Sequence, residues 1–228
     1  MNEFMQSLNN VKPRNAADRV YGELKKMLFN YQIVPGQKLQ SEDFAAKFNV
    51  SRTPVNHALK MLEKEGYVEL TPNKGYYVVE IGVKEVEELY DIRETLEILA
   101  VRRGIANQNL QSLKRLDQAM NMYAEDVKRP LTRKRLILDE EFHLAIAELS
   151  QNKTLVEILE RVFNKIYLKH RIEGLSSKRG EIAKSEHQEI YQAILSKNVS
   201  LAVEKMRKHI TGSRKNALIS LQGGSDQH

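Results

Sequence analysis

The sequence predicts a mainly helical protein in two parts: a small helical unit closed by a β-hairpin, then an antiparallel bundle of about six helices. Three observations carry this. Up to about residue 80, short apolar stripes of helical period alternate with brief runs rich in β-branched and aromatic residues. From Lys84 onward the helical stripes are long and no strand pattern recurs. Finally, no run of about 18 apolar residues occurs, so no membrane-spanning helix is expected. The parts divide as 1–80 and 81–228, with Ile81-Gly82-Val83 as the junction.

In the first part, Val20, Leu24, Met27 and Leu28 define one face of a helix over 16–30. Pro35-Gly36 forces a turn. A second helix covers 41–48, with Ser41 read as its N-cap and Phe44, Ala45 and Phe48 facing inward. Asn49 suits the tight corner that follows, because asparagine tolerates the left-handed conformation. Ser51 caps a third helix over 52–64. Pro54 falls in its first turn, where a missing N–H costs nothing, and Val55, Ala58, Leu59 and Leu62 form its buried stripe. Gly66 fits the position past the helix end. Residues 67–70 and 76–79 then flank the turn-rich Thr71-Pro-Asn-Lys-Gly75, giving a hairpin. In the second part the pattern predicts helices near 84–107, 110–128, 132–150, 153–173, 179–197 and 199–219, joined by short connections. The polar, glycine-containing end from Gln222 to His228 reads as frayed.

Composition excludes some classes. The start MNEFMQSLNN has neither a basic segment nor an apolar core, so it does not read as a secretory signal. Cysteine is absent, which excludes disulfide and thiol chemistry and fits a cytoplasmic location. The net charge of +6 suits a polyanionic partner. It is not concentrated, however: residues 1–80 hold 11 Lys/Arg and 9 Asp/Glu, so most of the excess lies in the second part. A nucleic-acid reading therefore has to rest on motif.

Helix, helix, corner, helix, hairpin is the order of a winged helix-turn-helix, whose third helix enters the major groove. The open face of that helix carries Arg52, Thr53, Asn56, His57 and Lys60. Arg52 can fork onto a guanine edge or a phosphate, Asn56 suits adenine, and Thr53 and Lys60 suit phosphates. Lys74 and Gly75 place the hairpin tip near phosphates or the minor groove. On pattern alone, the same unit also fits a protein-contact module with a solvated helix face. The run Pro35-Gly36-Gln-Lys-Leu39, then Val50-Ser-Arg-Thr-Pro-Val55, Ala58-Leu59, Leu62, Glu65-Gly66 and Pro72 through Gly75, resembles the GntR family of bacterial regulators. That resemblance covers most of 16–79 and implies sequence-specific binding to double-stranded DNA. The chain departs from it where Asn56 and His57 stand in place of the usual Arg and Glu, Asn49 in place of Gly, and Ser41 in place of Glu. The expected consequence is a shift toward adenine at one position per half-site.

In the second part, polar residues lie on inward stripes. Asp139 and His143 are four apart and share a face beside Leu138, Phe142, Ala145 and Leu149. His187 lines up with Ala183, Ile190 and Ile194, and His209 with Ala202 and Met206. Each of these two histidines is 11 residues from Asn198, the expected turn. In an antiparallel hairpin both imidazoles then lie about 16 Å from the turn and level with each other. One carboxylate and three imidazoles suit Zn²⁺ first, with Ni²⁺, Fe²⁺ or Mn²⁺ as alternatives. His170, at the far end of its helix, and His57 are left out of this set.

Arg93 shares a stripe with Val86, Leu89, Leu96 and Ala100, and a buried guanidinium needs a partner. An internal pair with a glutamate and a contact to an anionic ligand both fit. The run 88–103, Asp139-x-x-Phe142-His143, Asn152, Glu186-His187 and Met206-x-x-His209 resemble the FCD effector domain of the FadR subfamily. The resemblance implies a divalent metal on the matching Asp and three His positions. It also implies a small carboxylate effector near the metal and Arg93, homodimerisation, and binding to a palindromic operator, more often as a repressor. The resulting expectation is a cytoplasmic transcription regulator and not an enzyme: no general base is placed by motif, and neither a nucleophile elbow nor a phosphate loop is present. The alternatives are a dimer whose bundle is purely structural and, further off, a metal-dependent hydrolase fused to a DNA-binding module.

Overall fold

The computed structural model describes residues 13–170 and 177–223. It contains α1 (Ala16–Phe29), β1 (Lys38–Leu39), α2 (Ser41–Phe48), α3 (Arg52–Lys64), β2 (Val68–Thr71) and β3 (Gly75–Val78). These are followed by α4 (Val83–Asn107), α5 (Leu110–Val127), α6 (Arg133–Leu149), α7 (Lys153–Lys169), α8 (Ser177–Leu195) and α9 (Val199–Gly223). The chain divides into two compact units, one comprising the described residues up to Glu80 with 168–170, the other the rest.

The first unit is built around α1 and α3. Asn15 caps α1, its side chain accepting from the Asp18 N–H at 2.9 Å. Val20, Leu24 and Leu28 of α1 are packed out of solvent with Val55, Leu59 and Leu62 of α3. At roughly 1.5–3 kcal/mol per buried aliphatic side chain, these six contribute on the order of 10 kcal/mol against the entropy of ordering the chain. Asn49 takes the left-handed conformation (φ 52°, ψ 56°) at the end of α2, and Gly66 does so after α3 (φ 77°). Both corners direct the following segment back onto the core.

Three antiparallel strands form a sheet in the order β1-β3-β2, with Leu70 opposite Tyr76 and Lys38 opposite Tyr77. The hairpin is shifted by one residue from its expected place. β1 was not anticipated, since two residues carry no readable period. One sequence reading is corrected here. Ser41 is not the cap of α2 but its first helical residue; Gln40 holds the N-cap position, and the Ser41 hydroxyl is drawn across to α3 instead.

In the second unit α4 packs on α6 and α9, α5 packs on α6 and α8, and α8 packs on α9. The core is apolar, including Val101, Leu116, Phe142, Phe163, Ile190 and Met206. At Gly104, α4 approaches α6 so closely that an added Cβ would lie 2.9 Å from the Leu149 Cβ. Asn109 and Ser112 form a reciprocal capping box at the start of α5. Between α8 and α9, Lys197 adopts a positive φ of 57° and Asn198 accepts from the Leu201 N–H at 3.0 Å. The expected fourth helix of this unit extended to 173; α7 ends at Lys169, and 171–173 lie outside the described residues. No helix among the described residues is long and apolar enough to cross a membrane.

Candidate metal centre and nucleic-acid interface

α6 brings Asp139 and His143 onto one inward face. α8 supplies His187, and the tight Lys197-Asn198 turn brings α9 back so that His209 faces it; their ring centroids are 4.6 Å apart. From each of Asp139, His143, His187 and His209 one ligand atom can be chosen such that all four lie within 4.8 Å of one another. Ligands around a single ion with bonds of about 2.1 Å are roughly 3–4 Å apart, so the cluster is on the right scale. The three imidazoles are fully buried and the Asp139 side chain is 13% exposed.

Carboxylates behind the rings set their orientation. Glu97 Oε2 abuts His143 Nδ1, and Glu186 Oε2 lies 2.9 Å from His209 Nδ1. Glu186 is itself held by Arg179, whose Nη2 donates at 2.6 Å and also reaches the His209 carbonyl and the Ser213 hydroxyl. Tyr167 donates its hydroxyl to Asp139 Oδ2. With protons on the two Nδ1 atoms directed at carboxylates, the Nε2 atoms of His143 and His209 face each other as lone pairs, 3.1 Å apart. Such an arrangement is favourable only around a cation. His187 adds a second sign: neither of its ring nitrogens has a hydrogen-bond partner, although Nε2 lies 3.3 Å from Asp139 Oδ1. A fully buried imidazole without partners is costly. The residues present therefore fit a divalent metal.

The electrostatics agree. Burial pushes His209 down to about 3, the neighbouring imidazoles adding to the effect against the opposing pull of Glu186. Burial likewise depresses His187. Burial would raise Asp139, but His187, His143 and Arg93 outweigh it and hold the carboxyl well below its usual range. An ionised carboxylate with neutral imidazoles is the protonation state that ligation needs.

Arg93 is fully buried beside this cluster. Its Nε pairs with Glu97 Oε1, its Nη2 lies 2.9 Å from His143 Nε2, and Nη1 has no hydrogen-bond partner. The guanidinium carbon sits 4.5 Å from the Phe163 ring centre. Burial works against its charge, yet Glu97 and the surrounding groups raise its pKa further. The internal pair expected from the sequence is thus present, and Glu97 is its partner. Glu97 could have been found four residues after Arg93 on the same face; the roles of Arg179 and Tyr167 depend on packing between helices and left no local signal.

On the first unit, Arg52, Thr53, His57 and Lys60 are exposed along α3, Asn56 is half-buried among them, and Lys74 is exposed at the hairpin tip. Gly75 there has φ 100°, a conformation that disfavours any side chain. Arg52 pairs with Glu42 of α2 at 2.7 Å, and Asn56 accepts from the Ser41 hydroxyl. None of these side chains is needed for the core, and together they give a polar, donor-rich face suited to a phosphate backbone and base edges.

A winged helix-turn-helix joined to an all-helical unit with a buried Asp/His cluster defines a class of DNA-binding regulators. The model of bacterial regulatory proteins of the gntR family matches residues 16–78, and that of the FCD domain matches 88–212. The chain is 31% identical over 237 residues to the Uxu operon regulator of Haemophilus influenzae, covering 94% of this chain and 87% of the relative. It is 29% identical over 199 residues to the HTH-type transcriptional regulator YdhC of Bacillus subtilis, covering 87% and 89%. Among solved structures, E. coli McbR/YncC superposes with a TM-score of 0.74 at 21% identity, over 92% of this chain and 99% of that one. The protein belongs to the GntR family of transcriptional regulators and carries an FCD domain; it is a regulator, not an enzyme.

Proposed function

We propose that this regulator is a homodimeric repressor of the cytoplasm that binds a palindromic operator and responds to a small carboxylate. In this reading residues 1–80 bind DNA through Arg52, Thr53, Asn56, His57, Lys60, Lys74 and Gly75, and residues 81–228 bind the effector and pair the subunits. Asp139, His143, His187 and His209 would hold a divalent metal, Zn²⁺ in the first instance. Bound there, the metal supplies a Lewis-acidic point for an anionic oxygen. Arg93 supplies the second cationic contact, through the Nη1 edge that lacks a protein partner. Glu97 keeps both Arg93 and His143 in place for it.

The observation that carries the reading is His187, buried with both ring nitrogens unpartnered at the centre of the cluster. The test is a thermal melt of metal-loaded protein against a panel of small carboxylic acids, repeated after chelation. A ligand at about 100 times its Kd adds roughly 2.7 kcal/mol. An acid that raises the melt only in the presence of metal supports the sensor reading. If chelation changes nothing and no acid shifts the melt, the bundle is a dimerisation scaffold instead.

A further inference from the structure

Ser41 opens α2, but its hydroxyl caps nothing. It donates instead to Asn56 Oδ1 on α3, at 2.5 Å. Asn56 follows Arg52 by four residues, so the two share the outward face of α3. Arg52 is paired with Glu42, the residue after Ser41. Consecutive residues in the first turn of α2 thus hold two side chains of the DNA-facing helix.

The two contacts differ in what they fix. The Arg52–Glu42 pair is exposed and sets no hydrogen-bond polarity, since a guanidinium only donates. An asparagine amide, however, has a donor end and an acceptor end, and its two flips exchange them. Adenine presents the amino group at N6 and the acceptor N7 in a fixed order along the major groove, and an amide matches both only when its own ends are in the corresponding order. A free amide turns to suit either strand. One whose oxygen is pinned offers a single order, and the second lone pair of Oδ1 is still available to accept from a base.

We propose that Ser41 is a positioning residue for operator specificity: it pins Oδ1 of Asn56 toward α2, leaves Nδ2 as the other end of the reading edge, and so favours one orientation of an A·T pair over its reverse. This rests on the DNA-reading role of α3 proposed above, and the experiment separates the two.

Duplexes selected from a random pool by the full-length protein give the base profile of each half-site. Asn56→Ala identifies the position that Asn56 reads, as the one where preference is lost. Wild type and Ser41→Thr, which keeps the hydroxyl, are then expected to favour one base over its complement there by about tenfold. Ser41→Val, of similar shape without the hydroxyl, should bring that ratio near one, with the other positions and the salt dependence of binding unchanged. Ser41→Ala carries the same prediction should the valine variant fold poorly. A Ser41→Val or Ser41→Ala profile identical to wild type overturns the proposal, as does an Asn56→Ala profile that loses nothing. If wild type selects no sequence at all, the reading of α3 itself falls.

Discussion

Two arginine–glutamate pairs in this protein have the same chemistry and opposite surroundings. Arg52 and Glu42 are 65% and 57% exposed on the first unit, whereas Arg93 and Glu97 are 0% and 1% exposed within the second. In water, attraction between such charges barely exceeds the cost of holding two long side chains together, so an exposed pair contributes about 0–1 kcal/mol. DNA can therefore take Arg52 from Glu42 at little cost. The buried pair cannot be separated so cheaply, because each charge left behind would lie in a medium that does not solvate it. The first unit keeps its polar chemistry outside an apolar core; the second keeps it inside the core, where each group depends on its neighbours.

The sharpest way to break this contrast is Glu97→Ala. It leaves a guanidinium and an imidazole facing the gap, and is expected to cost about 3–5 kcal/mol in denaturant unfolding. A loss under about 1 kcal/mol would mean that the second pair behaves like the first. Next comes His187→Ala, which should abolish the rise in melting temperature on metal addition, roughly 2.7 kcal/mol at about 100 times the Kd. Binding of metal-free protein to operator DNA should be unaffected by it. Arg52→Ala should cost about 1–3 kcal/mol in discrimination between operator and competitor duplexes, with melting and effector response as in wild type. The smallest effect belongs to Glu42→Ala: stability should stay within about 1 kcal/mol of wild type. Were it to unfold the first unit, the exposed pair would be structural after all.

Helical period and turn chemistry were enough to read the two-part architecture, because α1, α3 and the bundle helices each bury a continuous stripe. The positions of His187 and His209 were legible for a geometric reason: equal distances from one turn bring two residues level. What could not be read was which groups stand behind them. Glu186 is adjacent to His187 in sequence but serves His209 on the next helix, and Tyr167 reaches Asp139 from α7. Such contacts depend on how helices pack, which no local period records. Ser41 shows the same limit within one turn. Its type suits a cap, and only the proximity of α3 redirects its hydroxyl to Asn56.

Glu97 also has a mechanical consequence. Its carboxylate is one rigid plane with Oε1 on Arg93 and Oε2 against His143. Rotation about the bond carrying that plane moves the two oxygens in opposite senses. A tug on the guanidinium is therefore transmitted to the imidazole as a displacement of the other sign, as by a rocker on a fixed pivot.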